Sequence, residues 1–173
     1  MDRTKLATAA LFAVLAVTCE KKEEAKPELA VQKANREEPV GVLAPRDQVR
    51  TILAPSDGDV AIIVKSATAR EASDGRKLLV YVGAKWCEPC QHFHRAAARG
   101  DLDKAFPNLT LLEFDSDRDG ERLLNAGYSA RFIPYFGVPG PDGRATDWHF
   151  EGAVQGEPAV AEITPRLRAL LDR

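Results

Sequence analysis

Residues 77–100 read KLLVYVGAKWCEPCQHFHRAAARG and contain the pattern that decides the fold. The opening KLLVYVG is a continuous apolar, partly β-branched run, which is typical of a strand buried on both faces. Cys87 and Cys90 follow at Cys-X-X-Cys spacing, and a helical pattern runs from about Cys87 until Gly100 ends it. The stretch therefore predicts a buried strand that leads through a cysteine pair into a helix.

The flanking sequence predicts further strands and helices on both sides of this stretch. Upstream, VRTIL is a candidate edge strand. Ser56, Asp57 and Asp59 are N-cap candidates for a helix from about Asp59 to Ser73, which has apolar residues at helical spacing. Downstream, the patterns predict strands at 109–114, 135–138 and 146–150 and helices at 118–126 and 157–171, with the hairpin turn GPDG between the last two strands. Alternating strands and helices followed by a hairpin predict an α/β fold with a mixed sheet flanked by helices.

The composition limits the classes of function. The chain has 173 residues, 45% hydrophobic content and a net charge of -2, which indicates one globular domain plus some extra sequence. The absence of a basic excess argues against nucleic acid as a partner. Three cysteines are too few for a disulfide-stapled scaffold, so Cys87 and Cys90 are more simply explained by chemistry than by stapling.

The N-terminal residues are predicted to direct export. Residues 1–18 have a basic start and then an uncharged run that is shorter than the about 20 residues of a membrane-spanning helix, as in a signal peptide. LAVTCE resembles the lipobox of bacterial lipoproteins, although Thr18 and Ala16 depart from it, and would make Cys19 the lipid-attachment site. A plain secretory signal cleaved elsewhere and an uncleaved anchor are the alternatives.

The charge-rich segment after Cys19 is predicted to be a tether. Residues 19–47 have few bulky apolar side chains and would gain too little from burial to offset the entropy of ordering. The folded domain is expected at 48–173. The lipid-attachment prediction implies a protein of the bacterial cell envelope that faces the periplasm and contacts the membrane through its lipid.

The position of the cysteine pair predicts thiol chemistry. The free backbone N–H groups and the dipole at a helix start stabilise an anion, and such contexts lower the pKa of cysteine from about 8.5 to roughly 3.5 to 7.5. Cys87 is therefore the predicted nucleophile and Cys90, one turn further in, the resolving thiol. Pro89 suits the first helical turn, and Trp86 would shield the pair and offer partners an apolar surface.

The same stretch also allows a metal site. Cys90 and His94 are four residues apart on the predicted helix, so together with Cys87 they could bind zinc or copper, with His92 as a fourth candidate. The helical period turns His92 almost to the opposite face from Cys90. At most three of the four side chains would converge, which disfavours a metal site. The favoured alternative is that His92 is a solvated helix residue and that His94 packs beside the redox pair.

Several separated motifs resemble the thioredoxin-like superfamily. WCEPC resembles its active site, GYSARFIPY (127–135) its cis-proline segment, and GPDG and EGAV later segments, with Gly152 in place before the last helix. The helix before KLLVYVG and the Glu-Pro between the cysteines resemble periplasmic thiol:disulfide interchange domains, such as the C-terminal domain of DsbD, and cytochrome c maturation reductases. The resemblance covers about residues 48–172. It implies a thioredoxin fold, a redox-active Cys87–Cys90 disulfide, a cis Ile133–Pro134 bond and no cofactor.

The chain departs from the family pattern near the cysteines. Tyr81 and Leu111 stand where thioredoxins have a buried aspartate and its lysine partner, so Glu88 or Glu113 would have to substitute as proton acceptor. Glu88, between the sulfurs, should disfavour a thiolate at Cys87.

Two further departures precede and follow the cis-proline. Phe132 replaces the small residue two places before it, and Tyr135 replaces the threonine after it. Both are expected to reshape the docking groove and with it the choice of substrate.

The resulting hypothesis is an envelope thiol:disulfide oxidoreductase that exchanges disulfides with protein substrates, with the reducing direction favoured. It needs protein thiols or disulfides as substrates and a redox partner that the sequence does not identify. The alternatives are a copper or zinc carrier that uses the same cysteines and a redox-inert thioredoxin-fold binding module.

Overall fold

A computed structural model describes residues 47–172. In chain order the elements are β1 Arg50–Leu53, α1 Val60–Ser73, β2 Lys77–Gly83, α2 Glu88–Ala98, β3 Leu109–Asp115, α3 Ser116–Asn125, β4 Tyr135–Pro139, β5 Ala145–Glu151 and α4 Ala159–Leu171. None of the helices in this part of the chain is both long and apolar enough to cross a membrane. The predicted signal peptide, Cys19 and all but the last residue of the predicted tether lie outside the described residues.

The strands form one five-stranded sheet in the order β1-β3-β2-β4-β5. β3 pairs in parallel with both β1 and β2, whereas β4 pairs antiparallel with β2 and β5. β2 lies in the centre, and all of its residues after Lys77 are buried, as its continuous apolar run predicts. The α/β class and the mixed sheet flanked by helices are confirmed, in the arrangement that the thioredoxin resemblance implies.

Two apolar cores lie on opposite faces of the sheet. Successive side chains of a strand point to opposite faces, so Leu78, Val80 and Val82 of β2 pack with α1 and α3. Leu79 and Tyr81 belong to the other core, with the two cysteines, α2 and α4. The cysteine pair therefore sits on the α2 and α4 face of the sheet.

Capping explains where the helices begin. Of the three N-cap candidates, Asp59 caps α1: its side chain accepts a hydrogen bond from the backbone N–H of Ile62. α3 begins at Ser116, two residues earlier than predicted, because Asp115 accepts hydrogen bonds from the N–H groups of Asp117 and Arg118. Asp115 is thus both the end of β3 and the cap of α3.

The strand register brings three distant segments to one end of the sheet. Val82 of β2 lies opposite Tyr135, the first residue of β4, so the chain before β4 reaches the carboxyl end of β2. Tyr135 also pairs with Glu151 at the end of β5. The cysteine pair, the segment around Pro134 and the segment after β5 consequently meet at this edge.

A buried carboxylate ties α1 to β1 and β3. Glu71 is completely buried, and its two oxygens lie 2.7 Å from a guanidinium nitrogen of Arg50 and 2.6 Å from the hydroxyl of Thr110, which donates to it. Arg76, also buried, lies 3.5 Å from the same carboxylate. Because buried charges are tolerated only where they are paired, removal of the Glu71 charge would leave the guanidinium groups without their compensating partner.

Replacing Glu71 by glutamine is therefore expected to lower the free energy of unfolding by about 3 kcal/mol. The amide keeps the shape of the side chain but removes the charge that offsets the two guanidinium groups. Urea unfolding checks this, with Glu162→Gln on the exposed face of α4 as the matched control, which should change stability by at most about 0.5 kcal/mol. Equal stability losses in the two variants would contradict this account of Glu71.

Candidate active site

Cys87 and Cys90 are joined by a disulfide at the start of α2. Cys87 is the N-cap residue, and its Sγ accepts a hydrogen bond from the backbone N–H of Cys90 at 3.2 Å. Only 3% of Cys87 and 1% of Cys90 is exposed. Pro89, between them, is buried in the first helical turn, where its missing N–H costs no hydrogen bond. The backbone thus places Cys87 at the positive end of the helix, as predicted.

The residues beside the disulfide are more exposed than the cysteines. Trp86 is 67% exposed, and its indole N–H donates to the carboxylate of Asp117 in α3 at 2.8 Å, which fixes the orientation of the ring. The side chain of Glu88 is 54% exposed and lies 3.7 Å from the ring of His92. The sequence pattern does not predict the contact between Asp117 and Trp86, because this contact depends on how α3 packs.

The segment before β4 has the predicted backbone. The Ile133–Pro134 peptide bond is cis, as the resemblance implies. The carbonyl of Pro134 accepts a hydrogen bond from the N–H of Gly152 at 2.7 Å. A Cβ at position 152 would come within 2.9 Å of Ile163 and 3.2 Å of Pro134, so only glycine allows this close approach.

A groove of about 430 Å³ runs past Cys87. It is formed by residues 86–89 and 130–133 together with Ser116, Ala153 and Gln155, and we call it the Cys87 groove. Phe132 is 51% exposed within it. Cys90 and Pro134 do not line it, so of the two cysteines only Cys87 borders this surface.

Arg131 makes two contacts that stabilise the part of the Cys87 groove around Phe132. The guanidinium of Arg131 lies 5.3 Å from the centre of the Phe132 ring, a cation–π geometry. The backbone N–H of Arg131 donates to the carboxylate of Glu151 at 2.6 Å. Ala153, which belongs to the EGAV segment, and Gln155, which the sequence pattern does not single out, line the groove from the chain after β5.

Tyr135 does not reshape the groove, so this expectation was wrong. Its side chain is buried on the other face of the sheet, stacked on His149 and edge-on to Tyr128. The reason is the strand alternation of β4, which turns its first side chain toward α1 and α3. Burial, followed by the charge of Glu151, raises the pKa of Tyr135 to about 12.

The histidines of α2 pair with carboxylates. His94 Nε2 lies 3.1 Å from an oxygen of Glu113, while His92 lies near Glu88 and is the less exposed of the two histidines, contrary to its prediction as a solvated residue. Among residues 47–172, no three histidine, cysteine or acidic side chains come together as a metal-ligand set.

Tyr81 occupies the position where the resemblance expects an acid. It is fully buried, and its hydroxyl has no hydrogen-bond partner within the described part of the chain. Burial, and then the charge of Glu113, raise the pKa of Tyr81 well above its usual value, so the hydroxyl stays neutral. Leu111, in place of the expected lysine, is also fully buried. The pair of charges seen in the family pattern is therefore replaced by two uncharged side chains.

Neither a protein-family model nor a curated protein sequence matches the chain. Three solved structures of thioredoxins are similar to it. A thioredoxin h from poplar has 23% identity, covering 73% of this chain and 98% of its own, with a TM-score of 0.45. The thioredoxin of Trypanosoma brucei brucei has 18% identity, covering 76% and 97%, with a TM-score of 0.45. That of Trichomonas vaginalis has 20% identity, covering 72% and 98%, with a TM-score of 0.43.

Proposed function

We propose that this chain is a thiol:disulfide oxidoreductase that exchanges disulfides with protein substrates through Cys87 and Cys90. The observation that carries the proposal is the hydrogen bond from the Cys90 N–H to Cys87 Sγ at the start of α2. This donor and the helix dipole stabilise a thiolate at Cys87 once the disulfide is reduced. Cys87 also lines the groove, so a substrate disulfide can reach it.

In the reducing direction the reaction has two displacements. The Cys87 thiolate attacks a substrate disulfide, forms a bond to one substrate sulfur and releases the other as a thiolate. Cys90 then loses its proton and attacks Cys87 Sγ, which breaks the mixed disulfide and releases the second substrate thiolate. The substrate disulfide gains two electrons, and the Cys87–Cys90 pair loses them. A further thiol donor must then reduce the pair for a new cycle.

The charge of Glu88 supports the reducing direction. Its carboxylate lies in the first turn of α2, between the two cysteines, where a negative charge disfavours a neighbouring thiolate. A pair whose reduced form is less stabilised gives up electrons more readily, in contrast to strong oxidants such as DsbA, whose reduced form is stabilised. Glu88 therefore shifts the balance toward donation of electrons to substrates.

A single-turnover experiment with glutathione disulfide tests the proposal. The fully reduced chain should become oxidised at Cys87–Cys90 and release reduced glutathione, which mass spectrometry can follow. The Cys90→Ala variant should stop at a mixed disulfide between Cys87 and one glutathione. A chain that leaves glutathione disulfide intact under these conditions would refute the proposal.

The Cys87 groove is the proposed docking surface for protein substrates. Replacing Phe132 by alanine removes a half-exposed ring and the platform for Arg131, and is expected to slow exchange with a disulfide-bonded protein about tenfold, because aromatic anchors dominate such contacts. Exchange with glutathione disulfide should stay within about twofold, because its small size needs little of the groove. Leu124→Ala, which removes an exposed side chain on α3 that does not line the groove, is the control. Equal effects of Phe132→Ala on both substrates would argue against docking by Phe132.

We further propose that the protein works in the bacterial cell envelope, faces the periplasm and is anchored by lipid on Cys19. The lipobox-like LAVTCE and the charged segment after it support this setting. Its substrates would then be exported proteins with disulfides, as for the periplasmic interchange domains that its motifs resemble. Membrane association of the full chain that is lost in Cys19→Ser, with a lipid-modified Cys19 in the wild type, is the expected result. An unmodified Cys19 would refute the anchor while leaving the redox proposal intact.

A further inference from the structure

A second cleft lies at the side of α2 that faces β3. Its volume is about 650 Å³, and we call it the His94 cleft. The titratable and charged side chains that line it come from α2, β3, α3 and the segment after β2: His94, Arg95, Glu113, Asp115, Arg118 and Lys85. Within this set, Nε2 of His94 lies 3.1 Å from a carboxylate oxygen of Glu113. The side chains of His94 and Glu113 are 36% and 21% exposed, so solvent reaches both, whereas Cys90 is only 1% exposed.

The proposed reaction requires Cys90 to lose a proton from a buried position. Only 1% of Cys90 is exposed, and it does not line the Cys87 groove. A docked substrate would cover that groove and close the approach from its side. The proton of the Cys90 thiol therefore needs an acceptor within the protein or a route on the other side of α2.

His94 is placed to be this acceptor. It follows Cys90 by four residues on α2, a spacing that puts the two Cβ atoms about 5–6 Å apart on one helix face. The Cα–Cβ bonds of a helix tilt toward its N-terminus, so the His94 side chain starts out in the direction of the turn that contains Cys90. The ring also contacts Tyr81, which belongs to the same core as Cys90, at 5.2 Å between ring centres. His94 thus lies between the core that contains Cys90 and the His94 cleft.

Glu113 determines which nitrogen of the His94 imidazole carries the proton. Its carboxylate beside Nε2 favours the neutral tautomer that carries its proton on Nε2 and leaves Nδ1 free to accept one. The same carboxylate stabilises the imidazolium that forms after proton transfer. Glu113 lies opposite Tyr81 in the register of β3 and β2, so the sheet holds it in place.

The other candidates for the acceptor are less suitable. Tyr81 stays protonated, because burial and Glu113 raise its pKa. Glu88 is more than half exposed and neighbours His92, and it does not line the His94 cleft. Neither group combines contact with the core around Cys90 and access to solvent.

We propose that His94, positioned by Glu113, is the catalytic base that takes the proton from Cys90 Sγ and passes it to solvent through the His94 cleft. The inference rests on the proposed exchange reaction. As Cys90 attacks Cys87 Sγ, its proton moves to His94 Nδ1, directly or through one water molecule. The electron pair of the broken bond leaves with the substrate sulfur, and the imidazolium then returns its proton to solvent.

A two-phase kinetic experiment tests the base. The reduced full chain is mixed with a nitro-aromatic disulfide, each half of which leaves as a coloured thiolate. The first release reports attack by Cys87 and the second reports attack by Cys90. In His94→Gln the second phase should be slowed at least about tenfold near neutral pH, as expected for loss of a general base, with the first phase unchanged. Glu113→Gln should slow the second phase to a smaller extent.

The pH profile separates a base from a merely structural residue. In the wild type the rate of the second phase should show an inflection and fall as pH decreases, because a protonated imidazole cannot accept the proton of Cys90. His94→Gln should lack this inflection and approach the wild-type rate at high pH, where hydroxide can take the proton.

The cleft is also lined by other charged side chains, namely Lys85, Arg95, Asp115 and Arg118. The contribution of His94 is therefore taken as the difference between the pH profiles of the wild type and of His94→Gln. His149→Gln on the edge strand β5 and Glu121→Gln on α3, both exposed, are the matched controls and should leave both phases unchanged. An unaltered second phase and pH profile in His94→Gln would overturn the inference, whereas a missing first phase in the wild type would refute the proposed function itself.

Discussion

Replacement of Cys87 by serine is expected to abolish disulfide exchange, with a loss on the order of 10³-fold or more, because the attacking atom is removed. Serine is a favoured N-cap residue, and its hydroxyl can accept the hydrogen bond that the Cys90 N–H donates to Cys87 Sγ. The start of α2 should therefore keep its structure. The measurement is the rate of glutathione disulfide reduction by the reduced variant, together with its circular dichroism spectrum.

Cys90→Ala is the matched control for this result, because it removes the other sulfur of the same disulfide. It should retain the first displacement and accumulate the mixed disulfide, since the resolving thiol is missing. The two variants would thus separate nucleophile from resolving thiol. Exchange at the wild-type rate in Cys87→Ser, or a mixed disulfide formed on Cys90, would reverse the assignment of roles.

Replacement of Gly143 by alanine is expected to produce the largest loss of stability, about 3 kcal/mol or more. Gly143 ends the turn between β4 and β5 with a φ of 83°, which costs an L-residue about 1–2 kcal/mol. A Cβ at this position would overlap the backbone carbonyl of Ala61 and come within 2.8 Å of the Lys65 nitrogen, both in α1. Because backbone atoms cannot rotate away, α1 would have to move from the turn, which adds a further about 1–3 kcal/mol.

Gly75 provides a control with the same backbone conformation and no crowding. Its φ is 71°, and a Cβ there would meet no heavy atom within 4 Å. Gly75→Ala should therefore lose only the about 1–2 kcal/mol of the left-handed conformation. Urea unfolding of both variants in the same oxidation state gives the comparison. Equal losses would show that the contact between the turn and α1 does not carry the effect.

The parts of the fold with strong local patterns were predictable from the sequence. KLLVYVG is β2 over its whole length, Asp59 caps α1, and Cys87 caps α2. These features depend on residue types within a few positions of each other, so a linear sequence contains them. The turn GPDG likewise joins β4 to β5, although its tight packing on α1 could not be inferred from the turn itself.

Side-chain placement was less predictable, because it depends on tertiary packing. Phe132 and Tyr135 were both expected to shape the groove, and Phe132 lines it whereas Tyr135 lies in the core. Leu124 is exposed despite its apolar side chain. His92 was expected in solvent and is partly covered. The strand register and the crossing of helices over the sheet decide these positions, and neither is encoded in a short window of residues.

In the candidate site, too, local motifs were predictable and contacts between distant elements were not. The cysteine pair and the cis-proline segment were predictable from motifs, and the sheet register brings them to one edge. The hydrogen bond between Trp86 and Asp117 and the pairing of His94 with Glu113 join residues from different elements. Only the folded structure places such residues together, so these contacts could not be predicted from the motifs.

The central claim is that the Cys87–Cys90 disulfide is exchanged and does not serve only to hold the start of α2. The reduction potential, measured by equilibrating the chain with glutathione buffers, tests this most directly. We expect reversible exchange with a potential between about -270 mV and -120 mV, nearer the more negative value because Glu88 disfavours the thiolate. A disulfide that stays oxidised to below about -300 mV and whose sulfurs do not exchange would contradict the account, because such values are typical of structural disulfides.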